Sequence, residues 1–315
     1  MEIALYRDPG GYYARPGVSR VGRDGDFVTS VSIGPVFGML LAERVAQAWQ
    51  QNGRPSPFAV VEPGPESGHL AGDLLEALAA RHPACFDALS YHLIEPVPAK
   101  GALLREILPE AIQNKTSVHQ SPSSVEADFG IVIANEILDA LPVHLVHKDA
   151  GRWFEYEVAS IDGSFRLIPQ PCTDSSLLAV LDPLSPELPD GYTTEVCLEY
   201  EPFLRSLTES LKRAHLMIID YGFSSDDYYQ PARTSGTLRT YRNHEATDNP
   251  LEQVGECDIT THVDFTRVLQ AGQLAGLRGQ GFYRQEQFLT PLAAPLLTDS
   301  SSRFAEDPSL LRQFR

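Results

Sequence analysis

Val60-Val61-Glu62-Pro63-Gly64-Pro65-Glu66-Ser67-Gly68 joins an apolar run, Phe58 to Glu62, to a segment in which Leu70, Leu74 and Leu78 recur every four residues. The run has the near-continuous apolarity of a parallel strand covered on both faces. The leucine spacing lays one apolar stripe along a helix, for which Ser67 supplies an N-cap. Strand, glycine turn and helix open a doubly wound α/β sheet, and the alternation continues outward from there. Tyr91 to Glu95 (YHLIE), Phe129 to Asn135 (FGIVIAN) and Leu216 to Tyr221 (LMIIDY) read as further strands, with a helix at 99–108 after the second.

The turn also restricts the ligand. A glycine turn at a strand end lets backbone approach a nucleotide-like molecule at the carboxyl edge of the sheet. Neither the dinucleotide pattern G-x-G-x-x-G nor the P-loop pattern G-x-x-x-x-G-K-[ST] is present. Glu62 and Glu66, with no lysine in the turn, repel a pyrophosphate and suit a phosphate-free nucleoside bearing positive groups. Gly64, Pro65 and Gly68 supply backbone, and Glu95, at the end of the next strand, is placed to accept ribose hydroxyls. A plain strand-to-helix connection is the competing reading of the glycines.

Two regions break the alternation. Val143 to Gln170 reads as a β-meander with glycine turns, and Pro171 to Gly191, rich in Pro, Ser and Asp, as a surface loop. Before the sheet, Pro35 opens a helix with Phe37, Leu41, Val45 and Ala48 on one face. Asp26, Phe27, Thr29 and Ser30 lie in a glycine-rich loop ahead of it, either a lid over a cofactor or a turn with an N-cap. Near the end, Phe265, Val268, Leu269 and Gly272 mark a helix stopped at Gly276, and LRGQGFYR at 277–284 suggests one more strand. The expected organisation is an N-terminal helical extension and lid loop over 1–57, a sheet domain over 58–142 and 191–315, and a β-rich insertion over 143–190.

Of the 315 residues, 43% are hydrophobic and 21% charged, ordinary for a folded soluble chain. The net charge of −17 argues against a nucleic-acid partner and is compatible with an arginine-bearing peptide. Cys85, Cys172, Cys197 and Cys257 form no C-x-x-C pair, and His144 and His147 fall on opposite faces of a strand, so no metal site is expected. No run of 18 apolar residues and no basic leader occurs, so the expected location is the cytosol, or an organelle matrix, without membrane insertion. The oligomeric state stays open.

The motifs ALYRDPGGYY at 4–13, VGRDGDFVTS at 21–30, FGMLLAE at 37–43, VEPGPESGHLAGDLL at 61–75, HLIEPVP at 92–98, IANEILDALPVH at 133–144, IDYGF at 219–223, GTLRTYRNH at 236–244 and VGECDITTHVDF at 254–265 run through nearly the whole chain. In these the chain resembles the MidA-like family, S-adenosylmethionine-dependent protein arginine methyltransferases linked in mitochondria to assembly of respiratory complex I. The resemblance implies a Rossmann-like methyltransferase sheet, S-adenosylmethionine as cofactor and a protein arginine as acceptor. The chain departs from the family pattern at Glu66, where the family has glycine. The pattern also starts one helix before Met1 and runs past Arg315, which points to a trimmed chain or a shorter relative.

On this resemblance Glu136 and Asp139, after the FGIVIAN strand, are expected to clamp the acceptor guanidinium, with Asn135 on the cofactor. By position alone, Asp139 reads equally as a helix cap and Glu136 as a solvated acid. His262 is expected to pair with a site carboxylate or relay a proton, a structural histidine being its other reading. Two other classes stay open: a non-catalytic assembly factor that keeps the fold, to which Glu66 points, and a nucleotide-dependent oxidoreductase, against which the missing dinucleotide pattern counts.

Overall fold

Burial on both faces is what the continuous apolar runs demand, and each of them forms a strand of one parallel sheet. The structure, a computed structural model, describes residues 1–15, 30–242, 245–298, 307, 310 and 313. The strands used below are β1 (Phe58–Pro63), β2 (Leu89–Ile94), β3 (Thr116–His119), β4 (Gly130–Asn135), β5 (His144–Asp149), β6 (Arg152–Ile161), β7 (Ser164–Pro171), β8 (Thr193–Val196) and β9 (Ala214–Ile219). The parallel sheet has the order β3-β2-β1-β4-β9. After β3 the chain crosses back to pair β4 with the other side of β1, so the strand order reverses there. In open sheets of this kind ligands bind at the carboxyl ends beside such a reversal.

The chain divides into two compact units, one comprising Pro16–Asn135, Ser206–Ile219 and Gln280–Arg315, the other Met1–Arg15, Glu136–Arg205 and Asp220–Gly279. The parallel sheet belongs to the first. Its core follows from the helix stripes: Phe37, Leu41, Val45 and Ala48 of helix Val36–Gln51 and Leu70, Leu74 and Leu78 of helix His69–Arg81 are all buried in one cluster. Burying each leucine contributes about 1.5–3 kcal/mol, and truncation to alanine costs about 2–5 kcal/mol. The N-cap of the second helix is Gly68, and Ser67 instead pairs its hydroxyl with His69 Nδ1 at 2.9 Å.

In the second unit the meander forms the antiparallel sheet β7-β6-β5-β8. The expected loop over 171–191 contains a helix, Ser175–Leu181, because Asp174 caps the N–H groups of Ser176 and Leu177 at 2.7 and 3.3 Å. Leu177 and Leu181, four apart, are buried with Trp153 and Tyr192. The strand expected at 277–284 does not form. Gly279 and Gly281 interrupt the run, and Phe282 and Tyr283 stay exposed with no strand beside them among the described residues. Short strands escape sequence reading altogether: Arg239–Arg242 pairs with Glu245–Thr247 and Asp258–Thr260, and Gly222–Phe223 with Val263–Asp264. Runs of two to four residues display no period.

Candidate functional site

In the sheet unit the carboxyl end of β1 passes into the turn through Gly64 and Gly68, at φ +62° and +75°, conformations that glycine adopts without strain. The Gly64 N–H donates to the Ile94 carbonyl at 3.0 Å and that of Gly68 to the Pro65 carbonyl at 2.7 Å. A Cβ on Gly68 would meet Leu108 Cδ2 at 2.8 Å, so this glycine also serves the packing of the turn on the next helix, Pro98–Ile107 and its C-cap Leu108. Glu62 is buried, and its Oε2 accepts the Tyr91 hydroxyl at 2.8 Å. Burial pushes its carboxyl up to about 8 despite that hydrogen bond. Glu62 is therefore a neutral, hydrogen-bonded acid at pH 7.

Glu95 follows β2 directly. Its Oε1 accepts the Val97 N–H at 2.9 Å, and its Oε2 lies 3.2 Å from Lys100 Nζ. Lys100, in the first turn of helix Pro98–Ile107, also donates to Glu66 Oε2 at 3.3 Å. The acidic turn thus has a cation, carried by the helix after β2, which a reading of the turn alone misses. Glu66 sits at φ +46°, a left-handed position uncommon for a residue with a side chain. Asn135 ends β4, and its Oδ1 is buried with no hydrogen-bond partner. Ser30 accepts a hydrogen bond from Gln285 Nε2 at 3.0 Å. Asp26, Phe27 and Thr29 lie outside the described residues.

In the second unit, Glu136 has φ +50° and leads into a 3-10 turn, Leu138–Ala140. Asp220 folds that turn: its Oδ2 accepts the N–H groups of Ile137, Leu138 and Asp139 at 3.2, 2.9 and 3.3 Å, and its Oδ1 that of Tyr221 at 2.9 Å. The capping role conceivable for Asp139 therefore belongs to Asp220. The Asp139 side chain is buried, with 6% of the residue's surface exposed. Its Oδ2 accepts the Tyr221 hydroxyl, and its Oδ1 has no partner. Burial raises Asp139 to about 6, and burial with the Asp139 charge raises Asp220. The two carboxyls share the burial and interact, so both lie above the ordinary carboxylate range, Asp220 despite the backbone N–H groups that it accepts. Among the described residues no lysine or arginine lies within ion-pair distance of either.

His262 is half-buried, edge-on to Tyr221 with ring centroids 5.4 Å apart, and packed at 5.0 Å against Phe223. Its Nδ1 has no partner. Burial and the charges of Arg233 and Arg239 lower its pKa, so it is neutral at pH 7. Through Tyr221 the fold brings His262 and Asp139 onto one side chain. Tyr6 donates to the Ala140 carbonyl at 2.8 Å and stacks on Tyr13, whose hydroxyl donates to Asp258 at 2.8 Å. Lys100, Asp220 and Tyr221 are the residues that sequence reasoning missed. Asp220 carries the same signal as Glu95, an acid ending an apolar run.

Residues 40–283 match a family model of S-adenosyl-L-methionine-dependent methyltransferases. The mitochondrial protein arginine methyltransferase NDUFAF7 homolog of Drosophila melanogaster is 32% identical over 308 residues, 88% of this chain and 66% of the relative. The mitochondrial protein arginine methyltransferase NDUFAF7 of Danio rerio is 27% identical over 293 residues, 84% of this chain and 65% of the relative. The chain thus spans just under two thirds of the length of these curated relatives. A crystal structure from Burkholderia thailandensis, bound to S-adenosyl-homocysteine, is similar with a TM-score of 0.85 and 32% identity, over 99% of this chain and 79% of that one.

Proposed function

The chain belongs to the S-adenosyl-L-methionine-dependent methyltransferase family, and from that premise we propose that it methylates a guanidinium nitrogen of a protein arginine. The observation that carries this choice of acceptor is the Asp139 carboxyl, buried, held at one oxygen by Tyr221, open at the other, and without a cation of its own. A buried carboxylate is stable only when paired, and an entering guanidinium supplies both the charge and the N–H donors. Arginine stays protonated in proteins and is a weak nucleophile, so carboxylates that bind its other nitrogens both orient one nitrogen and offset the cation. Glu136 is the second member of this clamp. His262, neutral and with Nδ1 available, takes the proton released after transfer.

The cofactor reading rests on the sheet unit. The unpartnered amide oxygen at the end of β4 calls for an N–H or O–H donor, and the buried acid after β2 keeps spare acceptor capacity; the ammonium, adenine and ribose groups of the cofactor carry such donors. Glu95 holds the ribose, Asn135 accepts from the cofactor, and Gly64, Pro65 and Gly68 give backbone access, with the neutral Glu62 beneath them. Ser30, with Asp26, Phe27 and Thr29, is the lid. When bound, the cofactor supplies a methyl group on a positively charged sulfur. In this reading 58–142 and 191–315 bind the cofactor, 1–57 forms the helical extension and lid loop, and 143–190 is an insertion. No helix among the described residues is long and apolar enough to cross a membrane. We place the protein in the cytosol or, as the relatives named mitochondrial suggest, in an organelle matrix.

The test is transfer of labelled methyl from S-adenosylmethionine to peptides that differ only in Arg or Lys at one position. Label on the Arg peptide alone is the expected result, and label on neither or on Lys would overturn the acceptor.

A further inference from the structure

Lys100 is the cation of the cofactor edge. Its ammonium lies 3.2 Å from Glu95 and 3.3 Å from Glu66, and its side chain is only 12% exposed. The three groups leave a single net negative charge where two bare acids would stand. Glu95 itself, 6% exposed as a side chain, is fixed at two points: the Val97 N–H holds one oxygen and Lys100 the other. A carboxylate has about four lone-pair positions, so the two contacts leave each oxygen with acceptor capacity for a further donor. Side-chain rotation of Glu95 would be less restricted without Lys100, and its charge would repel Glu66 at close range.

We propose that Lys100 is a positioning residue for the cofactor: it orients Glu95 toward the ribose and, tied back by Glu66, makes a glutamate tolerable in the glycine turn. This rests on the reading of Glu95 as the ribose acid. Glu66 is then neither an impediment nor a ligand. It is the second anchor of Lys100, and the left-handed backbone at φ +46° is the conformation in which its carboxylate makes that pair. The local sequence explains how one lysine reaches both acids. The stretch reads Glu95-Pro96-Val97-Pro98-Ala99-Lys100, and the helix that starts at Pro98 turns Lys100 back onto Glu95 within its first turn.

The experiment measures binding of S-adenosyl-homocysteine and of adenosine by calorimetry to the full chain and to Lys100→Met, Lys100→Arg and Glu95→Ala. Adenosine has the ribose and lacks the amino-acid end, so it separates a ribose effect from a direct contact to the rest of the cofactor. Lys100→Met is expected to weaken both ligands by a similar factor, roughly 10- to 100-fold as for a lost charged hydrogen bond, and Lys100→Arg to restore most of it. A loss confined to S-adenosyl-homocysteine, or no loss, would overturn the positioning role. If Glu95→Ala leaves both affinities unchanged, the ribose reading itself fails. A loss in Glu95→Ala with none in Lys100→Met sinks the Lys100 proposal alone. Far-ultraviolet circular dichroism on each variant checks folding before the affinities are compared.

Discussion

Two acidic turns follow parallel strands in this chain, and their charges are met in opposite ways. After β1 and β2, Glu66 and Glu95 share Lys100, a cation built into the next helix. After β4 and β9, Asp139 and Asp220 have hydrogen-bond donors and, among the described residues, no cation: Tyr221 with local backbone N–H groups on one, and four backbone N–H groups on the other. The first turn is complete in itself and offers acceptors to neutral hydroxyls. In the second, burial without a nearby cation raises Asp139 to about 6, and a cationic acceptor would relieve that cost. In the proposed function this difference separates a place for a sugar from a place for a guanidinium.

The largest effect expected from breaking the second turn is on transfer. Glu136→Gln keeps size and removes charge, so methylation of an Arg peptide should fall roughly 10²-fold or more, while calorimetry returns a cofactor affinity near that of the parent. Equal loss of binding and transfer would move Glu136 to the cofactor. Breaking the first turn acts on binding: Glu95→Ala should weaken S-adenosylmethionine by about 1.5–3 kcal/mol, the scale of a hydrogen bond to a charged group, with folding intact.

Asp139→Asn tests the second turn through stability. The folded pKa of Asp139, about 6, lies above its unfolded value, so the folded chain holds an extra proton between those two values and loses stability as pH rises through that window. An asparagine keeps the Tyr221 contact without the charge. Thermal unfolding at pH 8 should therefore find Asp139→Asn at least as stable as the parent, although transfer is lost. A marked destabilisation would return Asp139 to a purely structural role. Glu62 obeys the same sign over a higher window, up to about 8, so Glu62→Gln should flatten the fall in melting temperature on going from pH 5 to 9. The smallest effect is expected at Glu66→Gly. Removing left-handed strain and removing one of the two anchors of Lys100 oppose each other, so cofactor affinity should change only a few-fold. A change beyond tenfold in either direction would mean that Glu66 meets the cofactor directly.

The parallel sheet is legible because β1 and β4, buried along nearly their whole length, read as unbroken apolar runs, and because Leu70, Leu74 and Leu78 declare the helix that follows β1. The helix 175–181 was hidden among Pro, Ser and Asp, its two buried leucines too few to show a period. Glu95 and Asn135 could be read as ligand-side residues from position alone, since both end buried runs. Asp220 carries the same signal. Its partnership with the turn at 137–139, and the Tyr221 hydroxyl on Asp139, depend on tertiary pairing across 81 to 83 residues of chain, which no local pattern encodes. Lys100 likewise reads as a surface residue of a helix until the fold sets it against Glu66 and Glu95.

The most direct test of the uncompensated turn is a carbon-13 NMR titration of the Asp139 carboxyl in the full chain, alone and with an Arg peptide. An apparent pKa of about 6 is expected without the peptide, with a clear fall when the guanidinium binds. A carboxyl that titrates at the same pH with and without the saturating peptide would contradict it.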